Sequence, residues 1–150
     1  MPTHYKGTPK EVLALDTFIK LTRATDSFSN RLSQYGMLEN LTVTQFGVLE
    51  TLHHLGPLCQ NEIGTKLLKS NGNISLVLEN LEKNGLVWRE RNPQDRRMVT
   101  VNLTQKGQEL ISRIFPNQVK AITEEMGVLS PSEQETLGNL CRKLGKKETS

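Results

Sequence analysis

The sequence predicts a mainly α-helical protein that carries one small β-hairpin. Apolar residues recur at spacings of three and four over most of the chain, which is the period of an amphipathic helix. Between Gly85 and Leu103 the spacing changes to two, which is the period of a strand. The chain has 150 residues, enough to bury a core without disulfides. No repeat or long linker interrupts it, so we expect residues 1–150 to form a single domain.

The first two predicted helices are marked by their start signals. Pro9 suits a first helical position, and the helix that follows should end near Gly36. Its apolar stripe consists of Val12, Leu15, Phe18, Leu21, Phe28 and Leu32. Thr42 and Gln45 have the spacing of a capping box, and the second helix should run to Gly56.

Two shorter helices follow, joined by a tight turn. The first is a short amphipathic segment over about 60–68, and Ser70 is the expected N-cap of the second. The core stripe of this second helix consists of Ile74, Val77, Leu78 and Leu81. Gly85 suits the left-handed position just after its end.

The chain then alternates as a hairpin and returns to helix. Residues 86–91 and 98–103 form the two expected strands, separated by a charged tip. Thr104 is the expected cap of a long helix that Pro116 should kink. Ser130 and Glu133 have the capping-box spacing and start the last helix.

This order, a pair of short helices followed by a charged hairpin, is typical of a winged helix-turn-helix, whose second helix enters a DNA major groove. Since the core stripe faces inward, the residues that point outward at the start of that helix carry small polar groups or leave the backbone accessible to phosphate. The polar groups belong to Asn71, Asn73 and Ser75, and Gly72 leaves the backbone accessible. Leu76 also points outward, with an apolar side chain. The alternative is that these residues only cap a helix and form a turn.

The hairpin tip supplies the second candidate contact. Arg96 or Arg97 can enter a narrow minor groove, and Asp95 can hold the guanidinium in a set geometry. Arg89 and Arg91, on the preceding strand, add to the local positive charge and are further candidate DNA-binding residues. The alternative is a solvated turn with a surface ion pair worth under roughly 1 kcal/mol.

The residues from 85 to 107, GLVWRERNPQDRRMVTVNLTQKG, resemble the wing signature of the MarR family of bacterial transcription regulators. LTVTQFGVLETL and GPLCQNEIG resemble the upstream helices of the same family. The resemblance implies groove contacts at the outward helix positions and an aspartate-x-arginine pair at Asp95 and Arg97. Leu76 departs from the family, where polar or basic residues are frequent, and an apolar contact with a thymine methyl is the alternative there.

The resemblance also implies a homodimer. It divides the chain into a DNA-binding lobe at about 40–104 and dimerisation helices at about 9–36 and 105–146. The apolar surplus of the terminal helices supports pairing with a second copy, and two-fold symmetry predicts a palindromic operator. The alternative is a monomer in which these helices pack within one chain.

The sequence also suggests how such a regulator senses its signal. Cys59 is a candidate redox sensor, because it occupies an expected helix N-cap, where the helix dipole favours a thiolate. The resemblance implies a small aromatic or anionic effector and, most commonly, repression. His53 and His54 are adjacent on a helix and point about 100° apart, which disfavours a shared metal site.

Composition limits the competing classes. Cys59 and Cys141 form no disulfide framework, and no cluster has zinc-site spacing. The sequence has no apolar signal segment and no bilayer-spanning run, so we expect a cytoplasmic protein without membrane partner, metal or cofactor. We see no catalytic motif and do not expect an enzyme. A winged-helix module that binds protein instead of DNA remains the alternative, and salt-independent binding would distinguish it.

Overall fold

A computed structural model describes residues 2–35 and 39–146, which form six α-helices and three short β-strands. The elements in chain order are α1 (Pro9–Gln34), α2 (Val43–Leu55), β1 (Leu58–Cys59), α3 (Gln60–Leu67), α4 (Asn71–Lys83), β2 (Val87–Arg91), β3 (Val99–Leu103), α5 (Gln105–Met126) and α6 (Pro131–Lys146). The predicted class, mainly helical with a winged helix-turn-helix, is confirmed. The predicted end of the first helix near Gly36 lies outside the described residues.

Short-range capping fixes where the helices begin. The Thr42 hydroxyl accepts from the Gln45 N–H at 3.1 Å, and the Gln45 side chain accepts from the Thr42 N–H at 2.9 Å. The same reciprocal pair joins Ser130 and Glu133 at the start of α6. The predicted capping boxes are therefore confirmed. Pro116 lies inside α5, which continues beyond it, and the kink stays a prediction.

The sheet is antiparallel, with strand order β1-β3-β2. In the hairpin, Val87 lies opposite Leu103 and Arg91 opposite Val99, which confirms the two predicted strands. The third strand, β1, pairs Leu58 with Val101 along the other side of β3. Sequence periodicity did not predict it, because two residues are too few to show an alternation.

The described residues divide into two compact units. The central unit, Met37–Val119, contains α2, α3, α4, the sheet and the first part of α5. The terminal unit, Met1–Gly36 with Lys120–Ser150, contains α1, the end of α5 and α6. Within the described residues, no helix combines the length and apolar content needed to cross a membrane.

The central unit contains the hydrophobic core. The core residues are Phe46, Val48, Leu49, Leu52, Ile63, Ile74, Leu78, Leu81, Leu86, Val87, Val101, Ile111 and Ile114. Three of the four predicted stripe residues of α4 are fully buried among them, and the fourth, Val77, is half-buried against them. Burial of this stripe fixes which face of α4 points to solvent.

Candidate nucleic-acid interface

The turn between α3 and α4 presents the start of α4 to solvent. Leu68 ends α3 in a left-handed conformation with φ of 55°, and the Lys69 N–H donates to the Gly64 carbonyl at 2.9 Å. The Ser70 hydroxyl then accepts from the Asn73 N–H at 3.2 Å, as predicted for the N-cap. The first backbone N–H groups of α4 therefore point to a solvent-exposed surface that favours anions.

The outward face of α4 has the composition that the sequence predicted. Asn71, Gly72, Asn73 and Leu76 are exposed, whereas Ser75 is half-buried at the edge of this face. Further along the helix the same face continues through Glu79 and Asn80, which are also exposed. These residues carry amides, one hydroxyl, one carboxylate and one leucine side chain, and none of them is a cation. We refer to Asn71, Gly72, Asn73, Ser75 and Leu76, together with Glu79 and Asn80, as the reading face.

Two lysines beside the turn were not singled out from the sequence. Lys66 and Lys69 are exposed, and Lys69 directly precedes the N-cap of α4. A shallow concavity of about 370 Å³ is lined by Asn61, Gly64, Thr65, Leu68, Lys69 and Asn71. Their sequence position beside the turn of a helix-turn-helix could have indicated them, because DNA phosphates are expected there.

An aspartate orients one arginine at the tip of the hairpin. The Asp95 Oδ1 accepts from the backbone N–H of Arg97 at 3.1 Å and from its Nε at 3.1 Å. The second carboxylate oxygen is 3.5 Å from Nη2 of the same guanidinium. The Arg97 side chain is nevertheless 92% exposed. Because an exposed ion pair adds little stability, its main effect here is on the direction of the side chain.

The loop that carries these residues is closed by its own hydrogen bonds. The Asn92 N–H donates to the Met98 carbonyl at 2.9 Å, and the Met98 N–H donates to the Asp95 carbonyl at 3.0 Å. Arg91 contributes Nη1, which donates to the Arg96 carbonyl at 3.2 Å. Arg91 therefore holds the loop, while the Arg96 side chain is exposed beside Arg97.

Arg89 occupies a different environment from the other arginines of the wing. Its Nε donates to Glu82 of α4 at 2.5 Å, and its Nη1 lies 3.4 Å from the Gln60 side chain of α3. Only 24% of the side chain is exposed. Arg89 thus links β2 to both helices of the helix-turn-helix. Its assignment as a DNA contact stays a prediction, but its guanidinium already has a protein partner.

Cys59 and the two adjacent histidines lie elsewhere in the central unit. Cys59 is half-buried at the N-cap of α3, and its N–H donates to the Glu62 carboxylate at 3.2 Å. The His54 ring meets Phe115 edge-on at 4.7 Å, and His53 Nδ1 is 2.8 Å from the Gln108 amide nitrogen. The residues that the structure describes include no group of three side chains suited to hold a metal.

The chain is similar to known transcription regulators. The sequence profile of the MarR family matches residues 41–99. The HTH-type transcriptional regulator YkoM of Bacillus subtilis strain 168 is 36% identical over 132 residues, which cover 88% of this chain and 86% of YkoM. MhqR, an HTH-type transcriptional regulator of the same strain, is 35% identical over 132 residues, 88% of this chain and 91% of MhqR.

Similarity also extends to a protein solved with DNA. The MarR family regulator Sco3205 of Streptomyces coelicolor, in complex with DNA, matches with a TM-score of 0.83 and 23% identity. The match covers 98% of this chain and 93% of Sco3205. At this level of identity the likeness shows a shared fold.

Proposed function

The chain belongs to the MarR family of winged helix-turn-helix transcription regulators, and we propose that it acts as a homodimer that binds a palindromic operator and represses transcription. One observation carries the proposal. The central unit combines an exposed polar helix start at Asn71–Asn73 with a wing-tip arginine, Arg97, held by Asp95. These two elements suit the major and the minor groove of the same duplex.

In this proposal the reading face of α4 enters the major groove. The amides of Asn71 and Asn73 reach base edges, with the Ser75 hydroxyl at the side of the face. Gly72 lets the backbone approach phosphate, because an added Cβ would extend into open space that the duplex would occupy. Lys66 and Lys69 contact phosphates beside the turn, which positions the helix without selecting a sequence.

The wing supplies the minor-groove contact. A narrow minor groove has an enhanced negative potential, which attracts a guanidinium. The bonds from Asp95 restrict the Arg97 side chain before binding, so less conformational entropy is lost when the groove is reached. The Arg96 side chain adds positive charge at the same tip. Arg91 donates a hydrogen bond to the Arg96 carbonyl and thereby holds the loop.

The terminal unit supports the homodimer. Neither α1 nor α6 contains a buried residue in the single chain. Leu13, Phe18, Leu140 and Leu144 are among their exposed large apolar side chains. The two helices also flank an apolar groove of about 420 Å³, whose lining includes Leu21, Phe28, Met126, Leu129, Leu137 and Cys141. A second copy of the same unit would cover these surfaces.

Dimerisation through one isologous surface has a consequence for the DNA. Two-fold symmetry places two reading helices and two wings on the duplex, and adjacent half-sites lie about 34–36 Å apart along it. The operator is therefore expected to be palindromic.

We include modulation by a signal in the proposed function. The signal is a small aromatic or anionic molecule, or an oxidant that acts at Cys59. Cys59 is the last residue of β1 and the N-cap of α3, and its thiol is half-buried, so its oxidation would place a polar group at the start of the first helix of the helix-turn-helix. Repeating the DNA-binding measurement with salicylate-like aromatics and with peroxide tests both inputs.

The Arg97→Ala variant tests the proposed wing contact. Duplexes are first selected from a randomised library with the parent protein, and affinity is then measured by fluorescence anisotropy. A guanidinium that reads a groove contributes about 1–3 kcal/mol, so the variant should bind roughly tenfold or more weakly. Arg23→Ala is the matched control, because Arg23 is exposed on α1 in the terminal unit and its removal changes the net charge equally.

The midpoint of thermal unfolding of each variant distinguishes a loss of DNA binding from a loss of folding. Arg97 is almost fully exposed, so its removal should leave the midpoint unchanged. Equal affinities for the parent, Arg97→Ala and Arg23→Ala would show that the wing does not contact the duplex.

A further inference from the structure

We propose that Leu76 selects thymine in each operator half-site by packing against the C5-methyl group of the base. The inference rests on the proposed function, since it assumes that the reading face of α4 enters the major groove. It adds the chemical identity of one base that this surface recognises.

Leu76 occupies the middle of the reading face. The side chain is 58% exposed, although its neighbours Ile74 and Leu78 are fully buried. It is therefore outside the core of the central unit. Gly72 precedes Leu76 by four residues and Asn80 follows it by four, so Gly72, Leu76 and Asn80 lie along one side of the helix.

The residues next to Leu76 on the outward side of α4 are polar, and none of them is a cation. Asn73 precedes it by three residues and Glu79 follows it by three, and both are exposed. The sequence of α4 contains no arginine or lysine before Lys83, whose ammonium lies 4.0 Å from Glu79. Bidentate recognition of guanine by arginine is therefore unavailable to this face, and its central contact is apolar.

Thymine is the base that complements an apolar side chain in the major groove. Among the four bases of DNA, thymine presents a C5-methyl group in this groove. Cytosine, guanine and adenine present hydrogen-bond donors and acceptors there. Leu76 packed on cytosine or a purine would desolvate such a group without replacing its hydrogen bond. Contact with thymine instead removes a methyl group and a leucine side chain from water together.

Leu68 provides a matched control. It is also a leucine of the helix-turn-helix and is 90% exposed, but it lies in the turn before α4 rather than on the outward side of that helix. Val77 is half-buried against the core. Leu76 is thus the apolar side chain that α4 presents at the centre of the reading face.

The test removes the methyl group from the DNA and the side chain from the protein. A duplex is selected from a randomised library with the parent protein, and each thymine is replaced in turn by deoxyuridine, which lacks only the methyl. Dissociation constants are measured by fluorescence anisotropy at one salt concentration for the parent, Leu76→Ala and Leu68→Ala. Circular dichroism checks that each variant keeps the helical content of the parent. This is expected because both side chains are exposed and because alanine is a strong helix former at the helical position of Leu76.

The expected result is a coupling confined to Leu76. Burial of one carbon group corresponds to about a fourfold change in affinity, so deoxyuridine in both half-sites should weaken the parent about fifteenfold. Leu76→Ala should bind the thymidine and deoxyuridine duplexes equally, whereas Leu68→Ala should discriminate as the parent does.

Three outcomes would overturn the inference. Tolerance of deoxyuridine at every position by a parent that binds the selected duplex would reject methyl recognition and leave the proposed function intact. Loss of discrimination in Leu68→Ala, with Leu76→Ala unaffected, would assign the contact to the turn. Failure of the parent to enrich any duplex would reject the proposed function together with the inference.

Discussion

Leu140→Ala should weaken dimerisation about a hundredfold. The substitution removes three carbons from α6, each worth roughly 0.8 kcal/mol when buried. Leu140 is 59% exposed in the single chain, so complete coverage by a second copy gains about 1.4 kcal/mol from these carbons in each protomer. In a two-fold dimer the loss occurs twice, about 2.8 kcal/mol, which is about two powers of ten in the dissociation constant.

Sedimentation equilibrium over a range of protein concentrations measures this constant. Val43→Ala is the control, since Val43 is an exposed apolar residue at the start of α2 in the central unit. It should dimerise as the parent does, and both variants should keep the helical content of the parent. If Leu140→Ala has the dissociation constant of the parent, α6 does not form the dimer interface.

Two further predictions concern stability. Gly107→Ala should lower the urea midpoint of unfolding, because the added Cβ would collide with the Leu86 carbonyl. Helix propensity alone predicts the opposite, since alanine favours a helix over glycine by about 1 kcal/mol. A raised midpoint would contradict the predicted collision. In the terminal unit, the Arg31 Nε (2.7 Å) and the Tyr35 hydroxyl (3.0 Å) donate to Glu125, which lowers the pKa of the carboxyl and raises the pKa of Tyr35. Glu125 therefore contributes to the free energy of unfolding above the ordinary carboxyl pKa, and this contribution is lost as the pH falls through the lowered pKa of the folded state. The contribution of Tyr35 is lost as the pH rises above the ordinary pKa of a tyrosine. Glu125→Gln should flatten the acid side of a stability–pH profile measured by thermal unfolding, and an unchanged profile would show that these bonds do not stabilise the folded state.

The parts of the fold that depend on neighbours in the sequence were predictable. The capping boxes at Thr42 and Ser130 use partners three residues away, so their spacing can be read directly. The burial of Ile74, Leu78 and Leu81 follows from their helical spacing, and it fixes the outward face of α4. The order of elements follows in the same way.

The parts that depend on distant partners were not predictable. The pairing of β1 with β3 joins Leu58 to Val101, and two residues give no periodic signal. The charge of Arg89 predicts a DNA contact, because charge alone does not reveal a protein partner, yet the fold places Glu82 beside its guanidinium.

The salt dependence of duplex binding tests the central claim most directly. Fluorescence anisotropy with the selected duplex gives the association constant of the parent protein between about 50 and 200 mM salt. If the helix starts and wings of two protomers neutralise phosphates, the logarithm of this constant falls linearly with the logarithm of salt, with a slope of about −0.9 for each phosphate. Binding that is equally tight across this range, or no binding at the lowest salt, would contradict recognition of DNA by this surface.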